Sequence, residues 1–476
     1  GLPFSSPESS YLKMRSLNNN SFTWDATIQY KKSIAKNNFT GLFGASTERY
    51  AYVGFGAREQ GVSDNQIKSF YSTTINPTIL PEFNYVNTLM GFIGRLQYDW
   101  NQRYLFNISL RRDGSSKFAK ENRWGWFPSF SAAWNLSDEP FFEKAKELVN
   151  NLKIRASYGT TGNQSFGSYT YATNITTGNG LDYVFGVGAN DAKIGATQVV
   201  FANTAVKWET SKQYNFGTDI SLLDNKITFA AEYYRTAKDN MLFPIELPGS
   251  SGGTTNYNSS RVTLNVGNMI NEGIELSSEY RSVIGDLNYS IKGTFSTNQN
   301  VITFIPGRTD GSIMFTGDDG LIPEAKATSQ VTVLTVGHEA GAFYLYTTNG
   351  IANTHKKLAD YQQLVPTAKM GDLIYVDNNH DGQISAADRV YSGSGMPKYE
   401  IGFNFNLAYK GFDLNLNLYS ALGHKIMNGS KAVAFYYGRH RDLVGSWTEV
   451  NQDSPIPAYR GEGHANYLAY TDLWLE

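Results

Sequence analysis

The sequence predicts an all-β protein, a large antiparallel transmembrane β-barrel, and three observations carry that prediction. Apolar and polar residues alternate with period two over many segments, short and long connections alternate between them, and no apolar run is long enough to cross a bilayer as a helix. Composition agrees, because 31 Tyr, 28 Phe and 45 Gly against 14 Pro in 476 residues suit many strands joined by Gly- and Asn-rich loops. A net charge of -2 supplies no basic face for nucleic acid. The absence of cysteine excludes disulfides, thiolate metal sites and a cysteine nucleophile.

Taken in order, the strands repeat one design. "FTWDATIQY" sets Phe22, Trp24, Ala26, Ile28 and Tyr30 against Thr23, Asp25, Thr27 and Gln29. "FIGRLQYDWNQRYLFNISLRR" does so twice, with Phe92, Leu96, Tyr98 and Trp100 opposing Arg95, Gln97 and Asp99, then Tyr104, Phe106, Ile108 and Leu110 opposing Asn107, Ser109 and Arg111. "GWFPSFSAAWNL" opposes Trp126, Phe130, Trp134 and Leu136 to Ser129, Ser131 and Asn135, and "LKIRASYG" opposes Leu152, Ile154 and Tyr158 to Lys153, Arg155 and Ser157. Further hairpins turn at "LLDNKI" and "VIGDL". The clearest is "KYEIGFNFNLAYKGFDLNLNLY", where Tyr399, Ile401, Phe403, Phe405, Leu407 and Tyr409 alternate with Glu400, Gly402, Asn404, Asn406 and Ala408. Beyond Lys410-Gly411 the phase resets, and Phe412, Leu414, Leu416 and Leu418 alternate with Asp413, Asn415 and Asn417. In all, about fourteen strands are expected, each near the roughly nine to eleven residues that a tilted membrane strand needs.

The connections place the strands. Asn101-Gln102, Asp224-Asn225, Gly285-Asp286, Lys410-Gly411 and a helical turn over 139–151 are short, whereas long polar connections are expected around 47–88, 160–209, 239–269, 299–328 and 351–397. Strict alternation puts every long loop at one end of the sheet, as in membrane barrels. Aromatics cluster near strand ends (Tyr98 with Trp100, Tyr104 with Phe106, Trp124 with Trp126), where amphipathic rings favour the headgroup zone. Charges fall almost wholly on the opposite face, as they must when a charge facing lipid costs about 2 to 4 kcal/mol at midplane. A soluble sandwich or propeller also alternates, but no coherent second apolar face accompanies this alternation. Residue 1 is Gly, no leader follows it, and "TDLWLE" ends the chain in mid-pattern, so the sequence reads as an interior piece of a longer protein.

Six ordered blocks then identify a relative. "GFIGRLQYDWNQRYLFNISLRRDGSSKFAKENRWGWFPSFSAAWNLSDEPFF", "LKIRASYGTTGNQ", "VKWETSKQYNFGTDISLLDNKITFAAEYYRTAKDNML", "VGNMINEGIELSSEY", "GDLIYVDNNHDGQISAADRV" and "KYEIGFNFNLAYKGFDL" follow one another. From about residue 22 onward the chain resembles the SusC/RagA-like family of TonB-dependent outer-membrane transporters. The resemblance implies a barrel of about 22 strands, of which residues 1–476 would be the barrel domain without its N-terminal plug and last strands. It also implies a SusD/RagB-like surface lipoprotein as lid, a TonB complex engaged through the absent N-terminal region, outer-membrane lipid around the wall, and active import of a large polar nutrient. An oligosaccharide or other glycan is the first expectation for the cargo and a peptide the alternative. A passive porin and a soluble carbohydrate-binding β protein are the remaining rivals.

Residue chemistry adds one candidate site. In "DNNHDGQISAAD", Asp377, Asn379 and Asp381 occupy loop positions 1, 3 and 5, Gly382 position 6, Gln383 position 7 with its carbonyl, Ser385 position 9 and Asp388 position 12. That spacing wraps oxygens around a hard cation, so Asp377, Asn379, Asp381, Gln383 and Asp388 are expected to hold Ca2+ as a structural brace in an external loop. The last acid is Asp where such loops carry Glu, and no amphipathic helices flank it, which argues against a calcium switch.

Enzyme readings fail. "GSSGG" at 249–253 fits a nucleophile elbow in letters only, since no strand-turn-helix surrounds it. His338-Glu339 lacks the second His of a zincin, the six histidines have no ligand spacing, and Glu275 with Glu279 has no cleft to make it a glycosidase pair. The inward face (Arg95, Gln97, Asn404, Asn406, Asn415, Asn417) reads as a hydrated wall for neutral polar solutes. "SYTYATN" and "AFYYGRH" are candidate stacking loops at the outer mouth.

Overall fold

The computed structural model describes residues 11–60, 78–80, 84–168, 170–172, 174–177, 183–184, 192–193, 195–246, 261–305, 314–315 and 330–476. Strands dominate the architecture and the large wall sheet is antiparallel, as predicted. Its long strands are β1 (Tyr11–Ile34), β2 (Asn37–Gln60), β3 (Tyr85–Trp100), β4 (Tyr104–Ser115), β5 (Trp124–Asn135), β6 (Val149–Asn163), β7 (Glu209–Leu222), β8 (Ile227–Asp239), β9 (Asn268–Ile284), β10 (Leu287–Thr297), β11 (Tyr399–Tyr409) and β12 (Phe412–Leu422). Among the described residues β1 pairs only with β2, and β12 only with β11.

Contacts divide the chain into two compact units. The first comprises 1–134, 157–212 and 240–266, and holds β1–β5 with the loop-side ends of β6 and β7. Its hairpin β1–β2 pairs without a slip from Ile34↔Asn37 out to Tyr11↔Gln60. At about 3.3 Å per residue, 24-residue strands greatly exceed an apolar band about 25 Å tall, so their loop-side ends project beyond it. At the loop end Phe118, Phe127, Val206 and Trp208 form a buried cluster, and Trp208 Nε1 donates to the Arg123 carbonyl at 3.1 Å.

The second unit comprises 135–156, 213–239 and 267–476, with β8–β12 paired in chain order. Its turns are as tight as expected. Lys410 (φ 43) and Gly411 (φ 88) both lie in the left-handed region, the signature of a type I′ hairpin whose twist matches its strands. Asp224 and Asn225 adopt the same region (φ 57 and 62) because Asp and Asn tolerate it better than most residues.

Two expectations are corrected. The connection expected over 47–88 is shorter, because Thr47–Gln60 continue β2 against β1 and Tyr85 already pairs with Tyr52. The stretch left between the long connections expected at 299–328 and 351–397 holds no wall strand among the described residues. There the short strands Thr332–Leu334, Ala342–Leu345 and Thr348–Ile351 have Val333 and Leu345 fully buried, so that alternation marks a small water-soluble core. Among the described residues twelve strands therefore form the wall path, and the two others in its sheet are the short Thr78–Leu80 and Gln299–Phe304. Near the end of the sequence, Asp472–Trp474 is one 3-10 turn with Trp474 buried.

Those buried segments make a distinct body, here called the cap. Residues 330–397, which connect β10 to β11, and 423–476, which follow β12, share one core. Tyr346 donates its amide to the Tyr470 carbonyl (3.1 Å), Met427 bridges Leu475, and Ala458 N donates to the Gly371 carbonyl (2.8 Å). Tyr467 and Ala432 are fully buried beside Phe435 and Trp474. The cap thus stands on both loop-side ends of the β11–β12 hairpin.

Candidate functional site

In the second unit the β11–β12 hairpin separates an apolar face from an amide face. Register pairs apolar with apolar (Phe403↔Leu418, Phe405↔Leu416, Leu407↔Leu414) and amide with amide (Asn404↔Asn417, Asn406↔Asn415). Among the described residues no protein layer covers the apolar face: Phe403 is 39% exposed and Leu418 56%. The amides on the other face bond to one another. Asn404 donates to Asn417, Asn417 to Asn415 and Asn415 to Asn406, while Asn406 Nδ2 donates to Ser290 Oγ at 3.2 Å. A solute would meet a continuous sheet of amide donors and acceptors.

Nearer the loop end the same face is charged. Glu232 stands opposite Glu275, Glu275 opposite Ser296, and Ser296 opposite Glu400, so carboxylates from β8, β9 and β11 align in one row. Like charges directly opposed across strands destabilise a sheet. Arg155 from β6 offsets part of that, contacting Glu232 at 2.6 Å and Asp219 of β7 at 3.4 Å. It lies flat over Gly217, where a Cβ would come within 2.7 Å of the guanidinium. Tyr419 OH donates to Glu400 Oε1 at 2.5 Å. Beside this row the small side chains of Ala230, Ser277 and Thr294, with Gly402, leave a recess of about 410 Å³. The sequence shows Arg155, Glu275 and Glu400 on separate polar faces; strand parity alone joins them into this row with Glu232.

The Asp377–Asp388 loop lies in the cap. Its turn is built from side chains that accept backbone N–H groups in sequence: Asp377 Oδ2 from Gly382 (2.9 Å), Asn379 Oδ1 from Asp381 (3.0 Å) and Asp381 Oδ1 from Gln383 (2.9 Å). Gly382 has φ 80, which explains the glycine. Asp388 is fully buried and accepts from Asn378 N (2.9 Å) and Ser385 N (2.7 Å), completing a capping box with Ser385. The donor set of carboxylates, an amide oxygen and the Gln383 carbonyl suits a hard cation. Among the described residues no three acidic or imidazole groups stand at metal-holding separation.

The other candidates disperse. Residues 249–253 lie outside the described residues. His338 stacks on Tyr391 (4.3 Å), whose hydroxyl donates to Glu339 (2.9 Å); burial, reinforced by that bond, pushes the phenol up to about 12. Glu279 is held by Arg281 at 2.6 Å. In "AFYYGRH", Phe435 is buried in the cap core, and Tyr437 carries Arg439 over its ring at 5.3 Å. "SYTYATN" is described only in part.

The family model for "TonB dependent receptor-like, beta-barrel" matches residues 3–419. The chain belongs to that TonB-dependent receptor family. As a member of it, the chain is part of an outer-membrane β-barrel protein, and the family is one of transporters and receptors rather than enzymes. TonB-dependent receptor P3 of Formosa agariphila is 31% identical over 462 residues, covering 94% of this chain and 44% of that protein. TonB-dependent receptor SusC of Bacteroides thetaiotaomicron is 27% identical over 409 residues, covering 85% of this chain and 38% of SusC. The chain thus spans less than half the length of these curated relatives. Among solved structures, the RagAB peptide transporter superposes with a TM-score of 0.77 at 22% identity, covering 98% of this chain and 48% of that one, a likeness of fold.

Proposed function

We propose that the whole protein imports a large polar solute across the outer membrane, powered through TonB and assisted by a SusD/RagB-like lipoprotein lid. The observation that carries this reading is the Asn404–Asn406–Asn415–Asn417 lattice, a neutral hydrogen-bonding surface set directly behind a lipid-facing apolar one. Neutral amides exchange hydrogen bonds with a polyhydroxylated solute without trapping it, which favours an oligosaccharide. The row of Glu232, Glu275 and Glu400, with Asp219 linked to it through Arg155, favours a second reading, a peptide with cationic groups, and RagAB is itself named a peptide transporter. The complete protein with its lipoprotein, titrated calorimetrically with neutral oligosaccharides and with basic peptides, separates the two. Binding of neither class would defeat both.

The same proposal extends to the cap loop. Asp377, Asn379, Asp381 and the Gln383 carbonyl hold Ca2+ there, with Asp388 drawn in as the closing ligand from its capping position. Chelation should then speed proteolysis of 377–388 and leave the wall unchanged. An identical cleavage rate with and without chelator would remove the metal from the account.

A further inference from the structure

Arg112 breaks the rule that charges face the lumen. On β4 the exposed apolar residues Phe106, Ile108 and Leu110 share one parity, and Arg112 follows them in phase onto the same outer face. Its neighbour Arg111 points inward and pairs with Asp113 at 2.7 Å. The Arg112 guanidinium lies 4.8 Å from the Trp124 ring and 5.0 Å from that of Trp126, and Phe92 stacks on Trp124 at 6.2 Å. Trp124 lies across Gly114, where any Cβ would come within 2.8 Å of the indole. Trp126, itself 57% exposed, stands opposite Arg112 in the ladder.

Depth follows from β5. Trp134, in the turn-side girdle beside Tyr104, and Trp124 lie at opposite ends of one outward face. At about 3.3 Å per residue and a tilt of about 40°, they are separated by about 25 Å along the membrane normal, the height of the apolar band. Arg112 therefore sits at the loop-side boundary, where the cost of a lipid-facing charge falls to about 0–1 kcal/mol. Indole faces attract the cation but leave most of its five N–H donors without an acceptor. Among the described residues no carboxylate stands within ion-pair distance of it.

The geometry points to a lipid site: Arg112, framed by Trp124 and Trp126, binds the phosphate of an anionic lipid headgroup in the loop-side leaflet, two guanidinium N–H groups donating to two phosphate oxygens. Planar bidentate recognition is what guanidinium offers over ammonium. The inference rests on the outer-membrane assignment and is independent of the cargo. It is tested by native mass spectrometry of the complete protein in mild detergent, incubated with phosphatidylglycerol, with phosphatidylcholine, or with phosphatidylglycerol plus inorganic phosphate. Arg112→Gln should lower phosphatidylglycerol occupancy about tenfold, the equivalent of one charge-assisted pair. Arg235→Gln, whose arginine already pairs with Glu272 at 3.5 Å, should leave that occupancy intact. Wild-type occupancy in Arg112→Gln, equal binding of phosphatidylcholine, or displacement by inorganic phosphate would each overturn the lipid site. If Arg112→Gln does not show the heat-modifiable migration of a folded barrel, Arg112→Lys serves instead. An occupancy unchanged by Lys would refute the bidentate contact.

Discussion

Leu418 in β12 and Leu345 in the cap are the same side chain in opposite surroundings. The first is 56% exposed beside other exposed apolar residues, the second fully buried. A wall strand displays its apolar face and requires a solvent of acyl chains, worth about 1.5–3 kcal/mol for each large side chain removed from water. The cap, a short distance along the same chain, buries its apolar groups in a core as a water-soluble protein does. Apolar alternation alone therefore does not say which solvent a segment meets. Length, register and the chemistry of the opposite face do.

The largest effect that would test this contrast is in the cap. Tyr467→Ala empties a fully buried site whose hydroxyl also donates to the Pro457 carbonyl at 2.5 Å, and should cost about 3–5 kcal/mol of cap stability. Hydrogen exchange should rise across 330–397 and 423–476 together, while heat-modifiable migration of the wall stays as it was. Exchange confined to 423–476 would show that the two segments do not share a core.

Next comes the wall. Leu416→Arg puts a charge on the lipid face of β12 and should cost about 2–4 kcal/mol in denaturant titrations of the reconstituted protein. Asn417→Arg, one residue along and on the lumen face, should cost far less. Equal costs would mean that the two faces are not differently solvated.

A smaller, pH-dependent effect is expected at His464. Its Nδ1 accepts from Asn466 N at 3.2 Å and so caps the turn Ala465–Tyr467. Burial holds the imidazole below its usual value; Asp372 opposes that shift, and Arg460 and Lys369 reinforce it. Only the neutral ring can accept this bond, so the cap gains its full benefit above the unfolded value of about 6.5 and loses it as pH falls toward the lower folded value. Limited proteolysis of 458–476 should accelerate below about pH 6.5 in the wild type. His464→Asn, which caps without titrating, should abolish that dependence, and a persistent pH dependence in the variant would assign the effect elsewhere.

The hairpins were legible because strand parity, turn residues and connection lengths agreed at each of them. At Lys410-Gly411 the turn, the phase reset and the amide face all name one register. Residues 330–350 misled because "VTVLTV" and "AFYLYT" alternate like wall strands, yet short strands under a loop are buried on a core that no local pattern reveals. Partners such as Tyr470 for Tyr346 lie far along the chain, and nothing in either stretch names the other. The loop oxygens of Asp377, Asn379 and Asp381 were visible as a motif, but the burial of Asp388 was not, since it depends on that same core. Arg112 was hidden by adjacency to Arg111. Carrying the parity of Ile108 and Leu110 two residues further would have found it.

The shared footing of the cap has a consequence for assembly. Its two halves straddle the β11–β12 hairpin in the chain, so neither can complete the body until both strands have been laid down and their loop-side ends stand side by side. Protection of Tyr467 from exchange would therefore serve as a clock for barrel biogenesis, reporting the moment at which that hairpin has entered the bilayer in its final register.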